Sequence, residues 1–234
     1  MSLGSPDEFA LAGAEHLDPL YVAGYDRKAS FDPESDLALL RRHGLGAGST
    51  LVDLGAATGT FALAAAAEAA RVVAVDVSPA MVAAARAKAE ARGVTNLECV
   101  QAGFLDYEHT GEPADFVYSR NALHHLPDFW KAIALDRVAA VLRPRGVFRL
   151  RDIVYAFDSG EAETAIAAWV DAAAPTAETG WTREELQAHV RDEHSTFSWL
   201  LEPMLERAGF VIEQAEYGSL RVYAEYLCVR RQPA

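Results

Sequence analysis

Cysteine is nearly absent: the 234-residue chain has two, Cys99 and Cys228, each inside a strand-like run and neither at a metal-ligand spacing. This argues against a disulfide or a cysteine-based metal site, and both thiols are expected free and buried. Positive charge is also scarce, with 21 Lys and Arg against 34 Asp and Glu and a formal net charge of −13. Such a field repels nucleic acid and anionic membranes. The best basic groupings are Arg41 with Arg42, and Arg143, Arg145, Arg149 and Arg151; both read as solvated or ion-paired. No apolar run reaches membrane-spanning length, and the N-terminus lacks a basic-then-apolar leader pattern, so a cytoplasmic location is expected. No Pro/Gly/Ser-rich linker and no internal repeat divides the chain, so residues 1–234 are expected to form one domain. The opening "MSLGS" reads equally as an expression remnant or native sequence and is set aside.

What the chain does contain, from residue 50 onward, is short apolar runs alternating with helical stretches. Strands are expected at 50–54, 71–75, 96–100, 114–119 and 146–153. Helices are expected at 59–69, 81–91 (capped by Ser78 with Pro79 in its first turn) and 129–141. Runs such as "RVVAVDV" and "ADFVYS" are apolar at nearly every position, as parallel strands covered on both faces require. Alternation of this kind gives an open α/β sheet through right-handed crossovers. After residue 153 the pattern changes to helices at 161–173, 182–190 and 198–208, then two strands at 210–215 and 222–229. The expected fold is α/β: a mixed, mostly parallel seven-stranded sheet with a C-terminal antiparallel hairpin and helices on both faces. Its expected divisions are an N-terminal helical cover at 14–48, a cofactor-binding core at 49–153, a helical lid insertion at 154–209 and closing strands at 210–230.

The stretch "LVDLGAATGT" places Gly55 directly after a buried strand and Gly59 at the start of a helix. A turn of this kind brings backbone N–H groups and a helix N-terminus to a ligand, although tight strand-to-helix packing also needs glycine without any ligand. Ala56 and Ala57 keep the loop narrow. Asp76 ends the second strand, 21 residues after Gly55, where a carboxylate can accept both ribose hydroxyls or simply close an Asx turn ahead of Ser78 and Pro79. Asp53, just before the turn, would repel a pyrophosphate and suits an ammonium group instead. An adenosyl compound with an amino-acid tail therefore fits better than a dinucleotide.

Together "LVDLGAATGT", "VVAVDVSPAM" and "ADFVYSRNALHHLPD" resemble the class I, Rossmann-like S-adenosylmethionine-dependent methyltransferases, in particular the branch acting on small molecules. The resemblance spans roughly residues 34–153. It implies S-adenosylmethionine as cofactor, with its methionine end on the "D-x-G-x-G-x-G" loop, which this chain keeps at Asp53, Gly55 and Gly59 and departs from at Ala57 and Thr60. It further implies Asp76 on the ribose, Val77 toward the adenine, Met81 against the adenine or the adjoining helix, with a core methionine as its alternative, and backbone around Ser119, Arg120 and Asn121 against the methionine moiety. Family members often carry an acid after the third strand. Here the matching stretch is "QAGFLDY", and Gly103 and Phe104 stand in its place, Phe104 as an adenine contact or a core anchor. Tyr21 or Tyr25 would take the role of an aromatic cover over the cofactor, while Arg27 and Lys28 read as solvated.

Methyl transfer needs in-line approach of a nucleophile and a base only where that nucleophile must lose a proton. His124 and His125 are the first candidates for that base, with packing as the alternative. His194 is a further candidate, with capping or exposure as its alternative. No metal site is expected, because adjacent side chains diverge on regular elements and no further ligand has a convincing spacing. Asp152 with Asn121 is too small a set for a catechol-type metal. Glu184, Glu185, Asp192 and Glu193 read as helix-surface charge. Substrate choice is expected from Tyr155, Phe157, Trp169, Trp181, Phe197 and Trp199, an aromatic-rich lid over a small-molecule methyl acceptor. The competing functions are a noncatalytic adenosyl-cofactor-binding or protein-interaction protein, a nicotinamide oxidoreductase, and an RNA methyltransferase. A homodimer is left open.

Overall fold

The computed structural model describes residues 4, 6–13 and 19–232. Most of the "MSLGS" stretch and residues 14–18 of the expected N-terminal cover lie outside the described residues. The chain begins with α1 (Glu8–Leu11), α2 (Pro19–Ala29) and α3 (Glu34–Arg42). It continues through β1 (Thr50–Leu54), α4 (Thr60–Ala65), β2 (Arg71–Asp76), α5 (Pro79–Ala91), β3 (Leu97–Gln101), β4 (Ala114–Arg120), α6 (Asp128–Val141) and β5 (Leu142–Tyr155). The last part holds α7 (Ala162–Asp171), α8 (Arg183–Asp192), β6 (Thr196–Phe197), α9 (Ser198–Arg207), β7 (Phe210–Tyr217) and β8 (Tyr223–Arg230).

The strands run in the order β3-β2-β1-β4-β5-β8-β7. β1 to β5 pair in parallel, and β8 joins β5 antiparallel, with Phe148 opposite Cys228 and Leu150 opposite Tyr226. This is the expected seven-stranded sheet with its closing hairpin. One element was not anticipated: β6 is a two-residue strand pairing Val154 with Thr196 and Tyr155 with Phe197.

Successive residues of each central strand enter opposite layers. Val52, Val73, Val75, Val117, Phe148 and Leu150 face α6 and α9 and meet Leu135, Val138, Leu201 and Leu205. Their neighbours Leu51, Val72, Ala74, Phe116 and Tyr118 face α3 and α4 and meet Leu37, Leu40, Phe61 and Ala62. Both faces are covered, which is why these strands read as continuous apolar runs instead of alternating ones. A third cluster joins Ile153, Phe157, Trp169, Val170, Leu186 and Val222, and it fastens α7 and α8 beside the carboxyl end of β5.

The helix expected over 59–69 ends at Ala65, because the side-chain amide of Asn96 takes the carbonyls of Ala66 and Ala69, both at 2.9 Å, and holds the alanine run as a turn. Ser78 caps α5 through the Met81 N–H at 3.2 Å, and Thr182 with Glu185 forms a capping box at α8. Cys228 is buried, whereas Cys99 is only half-buried because β3 is a sheet edge; both are free. Four of the six arginines in the basic groupings are ion-paired, Arg41 with Glu34 and Glu68, Arg143 with Asp115, Arg149 with Asp36, and Arg151 with Glu225, while Arg42 and Arg145 are exposed. No helix among the described residues is long and apolar enough to cross a membrane.

Candidate functional site

The carboxyl ends of β1, β2 and β4 open into a cleft, as crossovers leaving to either side of a parallel sheet require. One part, about 240 Å³, is lined by Asp53, Gly55, Ala57, Arg120 and Asn121 under Tyr25 of α2. A narrower part of about 80 Å³ continues past Asp76, Val77 and Met81 to Gly103 and Phe104. The turn between β1 and α4 folds as its residues dictate. Gly55 has φ +76°, and a Cβ there would stand 2.3 Å from that of Ala122. Gly59, also at positive φ, opens α4 and presses on Ala85 at a built Cβ distance of 2.9 Å, so it packs the turn and does not line the cleft.

Counted from Asp53, Gly59 is the last glycine of the loop pattern and Thr60 merely begins α4, so the one departure is Ala57. That residue adopts φ +47°, a left-handed conformation that costs an alanine about 1–2 kcal/mol. Its N–H donates to Asp76 Oδ2 at 2.7 Å, while Oδ1 of the same carboxylate accepts from Ser78 N–H at 2.9 Å. Asp76 thus closes an Asx turn and simultaneously ties β2 to the glycine turn.

Asp53 is buried, and its Oδ2 has no hydrogen-bond partner among the described residues. Burial, and then the neighbouring Asp76, hold its carboxyl well above the usual carboxylate range, although the Ala62 N–H bonds to it. Burial raises Asp76 as well, against the two backbone donors. Two desolvated acids with one unpartnered oxygen make a place that gains from a cation. Asn121 Oδ1 and Ser119 Oγ are likewise buried and unpaired among the described residues. Asn121 lines the cleft, and its N–H is fixed on the Arg151 carbonyl at 2.8 Å; Ser119 lies beneath it, outside the lining.

The cover over the cleft is α2. Its Asp26 carboxylate accepts from Thr58 and Lys88, and those bonds outweigh burial to lower its pKa. Burial, with Asp76 beside it, pushes the Tyr25 phenol up to about 12, so it stays a neutral donor. Lys28 is not solvated as expected: it bonds Glu185 of α8 and sits 4.4 Å from the centre of the Trp181 ring, clasping cover to lid. After β3, Asp106 Oδ1 accepts the Gly103 N–H at 2.6 Å, and a second acid arrives from α1. Glu8 of α1 accepts Phe104 N–H at 2.9 Å and Leu105 N–H at 2.7 Å, and burial raises its pKa against those bonds. Nothing in the local sequence pointed to it.

Beyond Tyr25 and Asn121, which line both parts of the cleft, lies a chamber of about 390 Å³. Tyr21 belongs to this chamber and not to the cleft, with Trp169, Trp181, Leu186 and Tyr223. Of the expected lid aromatics, Phe197 and Trp199 stack on each other at 5.1 Å outside the chamber, and Tyr155 stacks on Phe157 at 5.4 Å in the third core cluster. His194 does not reach the chamber either. It is exposed, and its backbone spans from the His124 carbonyl to Lys131.

His124 and His125 do face the chamber, with a histidine that sequence reasoning passed over, His189. They do not diverge, because residues 123–125 form a 3-10 turn that leaves the two rings 4.3 Å apart. His124 Nδ1 bonds Asp152, whose other oxygen accepts the His124 backbone N–H at 3.1 Å. This engagement closes Asp152 to the catechol-type role considered with Asn121. Glu193, expected as surface charge, is half-buried: its Oε2 lies 2.9 Å from His124 Nε2, 2.8 Å from His189 Nδ1 and 3.6 Å from His125 Nδ1. Burial opposes an imidazolium at His124, but Asp152 and Glu193 outweigh it and raise the pKa to about 9. Burial likewise opposes the Glu193 carboxylate, and the histidines override it and hold that group far below its usual range.

Residues 51–146 match the family model described as a methyltransferase domain. No match to the chain is found among curated protein sequences. Solved structures share its fold. One is a SAM-dependent methyltransferase from Aquifex aeolicus, 19% identical, with a TM-score of 0.63 over 91% of this chain and 98% of that one. Another is magnesium protoporphyrin IX methyltransferase from Synechocystis PCC 6803 with bound SAM, 15% identical, TM-score 0.64, covering 98% of this chain and 100% of that one. A third is the (4+2)-cyclase SpnF, 17% identical, TM-score 0.62, covering 81% and 77%.

Proposed function

We propose that the chain, whose residues 51–146 match a methyltransferase-domain model, is a class I, Rossmann-like S-adenosylmethionine-dependent methyltransferase that transfers a methyl group to a small molecule held in the aromatic chamber. The observation that carries the reading is the buried, unpartnered Oδ2 of Asp53 beside the Gly55–Gly59 turn. That oxygen suits the ammonium of the cofactor's methionine end, and Asp76, at the far side of the same turn, suits the ribose. Met81 and Phe104 flank the adenine end, with the Glu8 carboxylate in the place of the family's missing acid.

S-adenosylmethionine, when bound, supplies an electrophilic methyl on a sulfonium. The protein's part is alignment and exclusion of water. Tyr25 and Asn121 line cleft and chamber alike and form the passage between them, and His125 lines both the narrow part of the cleft and the chamber. His125 is therefore the ring placed to take a proton from the acceptor, while His124, bound to Asp152, positions it. Trp169, Trp181 and Tyr223 favour an apolar or aromatic acceptor.

Calorimetric titration with S-adenosylmethionine and, separately, NAD, followed by assay of labelled methyl transfer to phenols, amines and carboxylates, tests the proposal. Binding of S-adenosylmethionine alone with label transfer is expected. Absence of S-adenosylmethionine binding overturns it, and binding without transfer to any acceptor favours the noncatalytic adenosyl-binding reading, on a scaffold that also carries a cyclase. The reading extends to a cytoplasmic enzyme acting on free small molecules and not on nucleic acid, in keeping with the −13 charge. Light scattering decides between monomer and homodimer.

A further inference from the structure

The histidine cluster at the chamber wall gathers more nitrogen donors on one carboxylate oxygen than an ion pair needs. His124 Nε2, His125 Nδ1 and a Glu193 carboxylate oxygen lie within 4.8 Å of one another. Three ring nitrogens, of His189, His124 and His125, stand 2.8, 2.9 and 3.6 Å from the single oxygen Glu193 Oε2, more than its two lone pairs can accept as hydrogen bonds. A shared proton requires the N–H axis to point at the oxygen, within about 60° of linear at the worst. Donor atoms gathered around a common centre approach each other sideways instead. For metal–ligand bonds of about 2.0–2.2 Å, neighbouring ligand atoms sit about 3.0–3.5 Å apart. The separations from Glu193 Oε2 to His124 Nε2 and His125 Nδ1, 2.9 and 3.6 Å, bracket that range.

The surroundings point the same way. Asp152 engages His124 Nδ1, which turns Nε2 toward Glu193. A carboxylate behind a ligating histidine is the usual outer partner of a metal site. His189 Nδ1 lies 2.8 Å from the same Glu193 oxygen, and its Nε2 is held by Ser195 Oγ at 2.7 Å.

We propose that His124, His125 and Glu193 bind a divalent first-row transition ion, such as Zn(II) or Fe(II), with its open positions toward the chamber. Two imidazoles and a carboxylate suit these ions and not magnesium or calcium, which take oxygen ligands. With the ion bound, His125 would serve as ligand and not as base: the ion would bind an acceptor oxygen and lower its pKa, and the proton would pass to water in the chamber. That role rests on the methyl-transfer reading; the site itself does not.

The test uses tag-free, full-length protein dialysed against chelator and titrated with Co(II) at pH 7.5, with visible absorption as the readout and Zn(II) as competitor. One equivalent per chain with d–d bands is expected, and Glu193→Gln and His125→Asn should each weaken binding at least tenfold. Both side chains are half-buried, and circular dichroism verifies that each variant is folded. S-adenosylmethionine titration of Glu193→Gln should give wild-type affinity, because Glu193 lies outside the cofactor cleft. Such a result separates a failed metal site from a failed cofactor assignment. Absence of saturable Co(II) binding by the wild type, or wild-type Co(II) affinity in either folded variant, overturns the proposal and leaves the cluster as a proton-held ion pair.

Discussion

Replacing Asp53 by Asn separates what this side chain does for the fold from what it does for the ligand. The amide keeps the shape and an acceptor for the Ala62 N–H but removes a charge that burial and Asp76 both disfavour. An acid whose pKa is raised by folding holds its proton more tightly when folded. Its favourable contribution is therefore complete below the unfolded value near 4 and is lost as pH rises through the raised one. At pH 7.5 the wild type carries the penalty and the variant does not. Relief of a buried, incompletely paired charged group is worth about 1–3 kcal/mol. With an m-value of about 2–3 kcal/mol/M, the urea midpoint of unliganded Asp53→Asn should rise by about 0.3–1.5 M. The difference should shrink toward pH 4. S-adenosylmethionine binding should move the opposite way, by loss of a charge-assisted hydrogen bond of about 1.5–3 kcal/mol, or roughly 10–150-fold in Kd. Urea melts at both pH values and calorimetric titration measure the two halves. A variant less stable than wild type at pH 7.5 without ligand would show that Asp53 is a structural acid, and unchanged affinity would remove it from the cofactor site.

Two further outcomes follow from local geometry. Ala57→Gly relieves about 1–2 kcal/mol of left-handed strain and returns about 0.5–1 kcal/mol through glycine's unfolded-state freedom, so Tm should hold or rise, by up to about 6 °C, with the Asp76 contact kept. A fall in Tm on thermal melting would mean that the alanine methyl holds the turn. Glu8→Ala frees the Phe104 and Leu105 N–H groups at the adenine end, and calorimetry should show S-adenosylmethionine and adenosine weakened about 2–12-fold but methionine unaffected. Equal binding of adenosine by variant and wild type would make α1 a bystander.

The parallel core was legible because its signals are local. Period, capping residues and glycine spacing each act over a few residues, and Ser78, Thr182 and the Gly55–Gly59 turn behave as their types require. The cofactor half of the candidate site inherits that legibility, since strand ends and the turns that follow them are adjacent in sequence. Ala57 was legible as a departure, but its backbone conformation was not, because an alanine in a turn reports no φ. Lys28 and Glu193 read as surface charge because exposure of a polar residue is decided by what packs over it.

By itself, then, the sequence determined the strand and helix alternation, the covered sheet and the place of the glycine turn, through forces that act between near neighbours in the chain. The tertiary structure decided the rest: that Glu8 reaches Phe104 across 96 residues, that His124 meets Asp152 across 28, and that Glu193 arrives between the histidines. Ionisation and metal affinity depend on distances of a few ångströms between groups far apart in sequence, and only packing of the lid helices against the sheet sets those distances.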